Sequence, residues 1–440
     1  MKRNFETDLY QRLFGEISKI KIIDSHEHLM RDSELPQGDD IHVGRFFSHY
    51  AMADMISAGM PVSDLKRATD DPAFTPKDRW ALLAPWYKKT YNTNYCEALR
   101  IAIRDLYDVE DFSQDQVDKL TNNMRKKLKP GINRKVFDML NIDYAMNHPL
   151  GPKQVYNPDF EFDCFICDMT DELTFLNFKA ISEETGMDIL CLDDYLKIID
   201  FYFDRDAECA SAYKTGQAYE RILYWEDVPR HEVEGTFNRL LAFNDRPDDR
   251  EIKKLQDFLM HYICRKCGEY NLPMKFHTGM HDGNGNLLSN SRALLLSNLF
   301  MKYPKTKFDI FHISYPYEGE LTVIAKNFPN VTVDFCWMWL INPAAGRRAL
   351  SEMLDAVPVS KIYGLGCDEI LIEGAYGHGV IALREITRVL CEKVEEGKFS
   401  EDYALEVAKM ILRDNAIENF NLTKKRKAFK KRLKQDGLIK

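Results

Sequence analysis

No run of about 18 apolar residues occurs in the 440-residue chain, so nothing in it reads as a membrane span. There is no excess of positive charge either. The net charge of -9 argues against a nucleic-acid partner, because a phosphate backbone calls for a basic surface. The one basic cluster, residues 424–434, reads as a solvated helix face. Gly-x-Gly-x-x-Gly is missing, and with it the usual mark of a doubly wound dinucleotide fold. No internal repeat or low-complexity linker divides the chain. The ten cysteines show no disulfide-scaffold spacing, which fits a reducing cytoplasm. Two Cys-x-x-Cys pairs, Cys164/Cys167 and Cys264/Cys267, lie too far apart for a zinc ribbon and read as buried thiols. Residues 1–15 are charged and amphipathic, with no apolar core for export. A cytoplasmic protein acting on a small molecule is expected, with homo-oligomers compatible with the sequence.

What is present is an ordinary globular composition, 45% hydrophobic and 29% charged, long enough to bury a sizeable core without disulfides. The periodicity predicts a helix over 5–18 and a first strand over 21–24. An insertion, 41–130, then carries helical periodicity and no convincing strand. It is rich in aromatics, including Phe46, Phe47, Tyr50, Trp80, Trp86, Tyr87 and Tyr91. It reads equally as a lid over a site and as a plain packing layer. From 132 onward strands and helices alternate. Strands are predicted at 141–146, 163–167, 208–213, 273–276, 307–311, 331–335 and 361–365. Helices are predicted at 132–140, 195–203, 233–270, 292–302, 318–327, 345–355 and 380–394, with a helical tail over 399–440. Eight strands alternating with helices imply a parallel sheet closed into a (β/α)8 barrel, with the helical insertion after its first strand, in a single domain.

In such a barrel, functional residues sit at the C-terminal ends of the strands. The first strand runs into Ile22-Ile23-Asp24-Ser25-His26-Glu27-His28. Residues two apart on a strand face the same way, so His26 and His28 can aim two imidazoles at one point. Neutral imidazole is the commonest side-chain metal ligand. Lys214 ends the fourth strand, His277 the fifth and His312 the sixth, and Asp368 follows the eighth. All six fall at one mouth.

This order of residues resembles the amidohydrolase superfamily. Lys214-Thr215-Gly216-Gln217-Ala218-Tyr219-Glu220-Arg221, His277-Thr278-Gly279, His312-Ile313-Ser314-Tyr315-Pro316 and Asn330-Val331-Thr332-Val333-Asp334 narrow the resemblance to the amidohydrolase-2 branch. Within it the chain is similar to the amidohydrolase half of FluG-type proteins and, more distantly, to uronate isomerases. A FluG-type fusion also carries a glutamine-synthetase-like half, for which this chain is expected to have no room. After Asp368 the sequence Glu369-Ile370-Leu371-Ile372-Glu373 departs from the family's usual one, a difference that bears on the substrate more than on the metal.

The resemblance implies a metal-dependent hydrolase with His26, His28, Lys214, His277, His312 and Asp368 as metal ligands. One or two divalent ions are expected, with zinc the default for a nitrogen-rich site and manganese or iron as alternatives. Such an ion lowers the pKa of water toward about 7. Asp368 is suited to take the proton of the attacking water and pass it to the leaving amine, with His312 beside it as the second catalytic candidate. Lys214 is a ligand if carboxylated. Otherwise it pairs with a substrate carboxylate or with Asp368. Arg221 with Tyr219 is a candidate clamp for a substrate carboxylate, since guanidinium pairs bidentately with carboxylates, although a salt bridge under the rim would account for Arg221 equally. His281 and Asp282, in the loop after the fifth strand, are candidate pocket residues. The implied reaction is hydrolysis of a C–N amide bond in a small carboxylate-bearing substrate such as a γ-glutamyl amide. Sugar-acid isomerisation is the rival reading, and a catalytically inactive binding barrel a third.

Overall fold

The computed structural model describes residues 7–148, 164–166, 168–242 and 247–437. Among them are eight strands, most of them separated by helices. They are β1 (Ile22–Glu27), β2 (Ile142–Asn147), β3 (Cys164–Ile166), β4 (Ala210–Thr215), β5 (Met274–Phe276), β6 (Phe308–Ile310), β7 (Val331–Asp334) and β8 (Ile362–Tyr363). Strands β3 to β8 form one parallel sheet in sequence order, and β1 pairs in parallel with β2. Parallel neighbours need a crossover between them, which the intervening helices supply. Every residue of β1 and of β4 to β8 is buried, so these strands are covered on both faces.

Beyond β8 the chain runs beside β1. The Ser25 N–H donates to the Leu365 carbonyl at 2.9 Å, the Asp368 N–H to the His26 carbonyl at 2.9 Å and the His28 N–H to the Glu369 carbonyl at 3.1 Å. These bonds join the chain beyond β8 to β1, and they bring Asp368 next to two histidines. One layer deeper, the buried Lys275 ammonium on β5 lies 2.8 Å from Asp309 on β6 and 3.1 Å from the Ser25 carbonyl. Asp334 on β7 accepts the Ser25 hydroxyl at 2.9 Å. A buried ammonium is costly unless charge and hydrogen bonds compensate it, and here they come from three different strands. The C-terminal helices close the lower end. Phe420 is fully buried, with the Lys275 ammonium 4.3 Å from its ring centre, and the Gly364 N–H donates to the Ile411 carbonyl at 2.8 Å.

The insertion folds into helices Tyr50–Ser57, Val62–Asp70, Pro76–Thr90, Asn94–Tyr107 and Val117–Lys127. The Pro76–Thr90 helix starts on a capping box, Thr75 with Asp78, and a proline at its first turn. Phe46, Phe47, Trp80, Tyr87 and Phe112 pack ring against ring as a core of the insertion's own. Tyr50 instead turns to the barrel mouth and stacks on Trp337 at 4.5 Å. The Asn94–Tyr107 helix crosses the Ile372–Glu395 helix so closely that a Cβ on Gly377 would meet the Ala98 carbonyl at 2.2 Å. The Tyr107 hydroxyl donates to Glu373 at 2.7 Å across the same contact.

Several boundaries differ from those the periodicity predicts. The long helix over 233–270 is two helices, Glu234–Leu240 and Asp249–Glu269, the second begun by Asp248 capping Arg250 and Glu251. The segment over 292–302 begins as a 3-10 turn, Ala293–Leu296, before the helix Ser297–Lys302. A helix at Phe175–Thr185, between Thr174 and a left-handed Gly186, was not predicted. Gly377→Ala is expected to lower stability by about 1–3 kcal/mol by overpacking a helix crossing. A denaturant melt checks this; a variant as stable as the parent would mean that the insertion is not held at that crossing.

Candidate metal centre

The first two imidazoles come from β1. His26 is fully buried and His28 half-buried, and their Nε2 atoms lie 3.2 Å apart. Asp24 fixes the strand beneath them. It accepts the His26 N–H at 3.0 Å and the Cys367 N–H at 3.3 Å. Asp368 reaches in from the chain after β8, with Oδ1 3.3 Å from both Nε2 atoms. Its Oδ2 lies 3.8 Å from His312 Nε2, and that nitrogen is 3.1 Å from His277 Nδ1. One carboxylate thus stands between two pairs of imidazoles.

The backbone holds these groups in conformations that side-chain-bearing residues seldom adopt. His312, Trp337 and Asp368, which follow β6, β7 and β8, have φ of 59°, 60° and 58°. Each left-handed residue of this kind costs on the order of 1–3 kcal/mol and survives where its surroundings enforce it, often at functional sites.

Carbonyl oxygens settle the tautomers. They accept only, so an imidazole nitrogen facing one carries the proton. His28 Nδ1 faces the His148 carbonyl at 2.9 Å, His312 Nδ1 the Cys336 carbonyl at 2.9 Å, and His277 Nε2 the Met280 carbonyl at 2.9 Å. The other nitrogen of each ring is left with a lone pair, and these bare nitrogens are the ones that converge. Burial disfavours the imidazolium form, pushing His26 and His277 well below the ordinary histidine range and His312 to about 4. Burial alone would raise the Asp368 carboxyl, but the neighbouring His28, His26 and His312 rings outweigh it and hold it well below the usual range. Bare nitrogens 3.1–3.2 Å apart beside an anion are what a divalent transition-metal ion requires, with second-group carbonyls orienting the rings.

A cavity of about 620 Å³ opens above this floor, with His28, Lys214, His277 and Asp368 on its walls. Lys214 is buried, and burial lowers its ammonium from the ordinary value. Its Nζ makes a long 3.4 Å contact to the Thr215 carbonyl and forms no ion pair with Asp368. Tyr219 and Asp282 line the cavity, the tyrosine oxygen accepting the Asp282 N–H at 3.0 Å. His281 sits behind them, its ring against those of His277 and Tyr219. His49 and Tyr50 from the insertion complete the wall. His49 Nδ1 is 3.1 Å from Glu369. Burial opposes its charged form, but the Glu369 carboxylate prevails and raises it above its ordinary value. The Tyr50 hydroxyl donates to the Asp368 carbonyl.

Three residues missed in the sequence therefore belong to the site: His49, Glu369 and His148. His148 also ends a strand, β2, and lines the cavity with its ring 5.4 Å from that of His28. The same strand-end signal was present there, but the residue reads as the start of a proline-containing loop. Cys264 and Cys267 are buried in the core, while Cys167 lies outside the described residues.

Arg221 does not reach the cavity. Its guanidinium pairs with Asp257 and donates to the carbonyls of Ile222, Lys253 and Tyr224 and to Gln256, and it stacks 3.9 Å from the Trp225 ring. All its donor directions are used in pinning the β4 loop to the Asp249–Glu269 helix, so the substrate-clamp role expected for it does not fit its position. Arg221→Met is expected to lower thermal stability by up to about 3–5 kcal/mol, the cost of leaving a buried carboxylate short of a partner. Lys253, 2.7 Å from Asp257, softens the loss. KM should stay within about twofold if the residue never meets substrate; a large rise in KM at unchanged stability would restore the clamp.

Residues 228–422 match the family model described as amidohydrolase. Among curated proteins, FluG of Emericella nidulans is 27% identical over 264 residues, which cover 59% of this chain and 27% of that protein. The chain therefore spans little more than a quarter of the relative it matches. Among solved structures, a uronate isomerase from Thermotoga maritima superposes with a TM-score of 0.71 at 17% identity, covering 94% of this chain and 97% of the other. A glucuronate isomerase from Caulobacter crescentus gives 0.73 at 16%, covering 96% of each. At these identities the structural likeness is one of fold. Residues 228–422 are thus similar to the amidohydrolase family, and the chain as a whole shares the TIM-barrel fold of these solved structures.

Proposed function

We propose that the chain is a metal-dependent amidohydrolase that cleaves a C–N amide bond in a small, carboxylate-bearing substrate such as a γ-glutamyl amide. The observation that carries this reading is the convergence of bare imidazole nitrogens from β1, β5 and β6 on the Asp368 carboxylate. His26, His28, His277, His312 and Asp368 would hold the metal, and Lys214 would join them if carboxylated. Zinc suits so nitrogen-rich a set, with manganese and iron as alternatives. When bound, the ion supplies Lewis-acid polarisation of the substrate carbonyl and activation of water.

The remaining chemistry belongs to side chains. Asp368 is held as a carboxylate, so at neutral pH it can accept a proton from the attacking water and return it to the leaving nitrogen. His312 stands beside its second oxygen as the other group at the reacting centre. With Arg221 engaged elsewhere, Lys214 is the one lysine or arginine on the cavity wall among the described residues. Unmodified, it is the natural partner for a substrate carboxylate. Asp168 and Asp171 line the far wall, where an amino-acid-like substrate would place its ammonium. Tyr219 and Asp282 bound the space between.

Sugar-acid isomerisation is the second reading. It is favoured by the two isomerases whose fold follows nearly the whole chain. Asp368 could there move a proton between adjacent carbons.

A substrate panel separates the two. Amine or ammonia release from amides, γ-glutamyl amides among them, is expected. Ketose formation from uronates without amide turnover would overturn hydrolysis in favour of isomerisation. Activity should disappear on chelation and return with zinc or manganese. Asp368→Asn keeps the shape but cannot carry the proton, so kcat should fall about 10²- to 10⁴-fold with little change in KM. If Asp368 served only the turn it occupies, the melt would move instead, and kcat would stay near normal.

A further inference from the structure

We propose that Cys336 is a ligand of the metal centre, contributing a thiolate on the His312 side of Asp368. The inference rests on the metal-dependent reading above and adds a donor type outside the histidine, lysine and aspartate set. Cys336 lies two residues beyond β7, at the same barrel mouth as the other ligands, and is fully buried. Donor atoms of His312, Cys336 and Asp368 all lie within 4.8 Å of one another, as do those of His26, His28 and Asp368. Asp368 belongs to both groups. Its Oδ1 faces the β1 histidines and its Oδ2 faces His312, so the thiol stands on the second side.

The backbone around Cys336 is committed to this placement. Its N–H donates to Asp334 at 2.9 Å, and its carbonyl accepts His312 Nδ1–H at 2.9 Å. The residue that fixes the His312 tautomer therefore also presents the sulfur. Room for it comes from Gly366, where a Cβ would stand 3.0 Å from Cys336 Sγ and 2.4 Å from Ser25 Oγ. Two other buried thiols are spent on carbonyls, Cys367 on Ala375 at 3.6 Å and Cys209 on Asp206 at 3.4 Å. The Cys336 thiol makes no such hydrogen bond among the described residues.

The step balances simply. The S–H bond breaks as the sulfur–metal bond forms, and one proton leaves to solvent for each ion bound there. An anionic sulfur beside two buried carboxylates, Asp334 and Asp368, would be unfavourable alone, and a divalent cation compensates it. A thiolate also biases the centre toward zinc or cobalt and away from magnesium or manganese, which prefer oxygen.

Cobalt(II) reads this directly. The full-length protein is stripped with a chelator, reloaded with cobalt and examined by absorption spectroscopy alongside elemental analysis. The expected result is a thiolate-to-cobalt charge-transfer band in the near ultraviolet. It should vanish in Cys336→Ser, which still retains cobalt, and persist in Cys367→Ser. Stoichiometric cobalt without the band in the wild-type protein overturns the proposal and leaves the metal-dependent reading intact. Failure to take up cobalt at all overturns both. A band lost in Cys367→Ser and kept in Cys336→Ser assigns the sulfur to the wrong strand end and also overturns it. The wild-type spectrum decides the first question without any variant. Cys336→Ala replaces Cys336→Ser should the serine protein not fold.

Discussion

The rest of the structure depends on keeping one buried carboxylate, Asp368, beside the converging Nε2 atoms of His26, His28 and His312. Nothing in an apolar interior favours that arrangement by itself. Bare nitrogens repel, and an unpaired carboxylate loses its hydration. The fold answers with backbone geometry. Hydrogen bonds between β1 and the chain beyond β8 hold Asp368 level with His26 and His28. Three main-chain carbonyls set the ring tautomers so that the lone pairs point inward. Left-handed residues after β6, β7 and β8 complete the turn of each side chain toward the centre. A divalent cation would compensate the charge that the backbone has gathered.

Below that floor, the barrel uses a polar layer in place of an apolar one. Lys275, Asp309, Asp334 and Ser25 come from four strands and hold one another. Asp334 also accepts the Cys336 N–H, so the layer is continuous with the residues above it. Paired buried charge of this kind contributes little net stability, but it disfavours any register in which the partners do not meet. The insertion makes a different contribution. Its aromatic core and its crossing with the Ile372–Glu395 helix fix the start of the Tyr50–Ser57 helix, and His49 and Tyr50 stand there against Glu369 and the Asp368 backbone. The stretch after Asp368 is thus also where the insertion meets the site.

The sequence made some of this legible for a definite physical reason. A parallel barrel places the ends of its strands at one mouth, so strand ends bearing His26, His28, Lys214, His277, His312 and Asp368 could be grouped before any contact was known. What escaped were pairings between distant segments. Nothing local to Arg221 announces that Asp257, on a later helix, will take its guanidinium, and a guanidinium near a strand end looks the same in either role. Glu369 and His49 are 320 residues apart and acquire meaning only together. The helical region expected over 233–270 holds two helices, because its apolar periodicity continues across a break that Pro247 and the Asp248 cap impose. Tyr50 was one aromatic among many in the insertion, and composition could not say which of them would face the cavity.

The central claim is that the imidazole lone pairs and Asp368 surround a metal ion. Its most direct test is an anomalous difference map, recorded at the absorption edge of the metal found in protein purified without chelator. The account predicts a peak within bonding distance of His26 Nε2, His28 Nε2 and Asp368, with the Nδ1–H of His28 still on the His148 carbonyl. A metal-supplemented crystal with no peak there, or with the β1 histidines turned onto other partners, would contradict it.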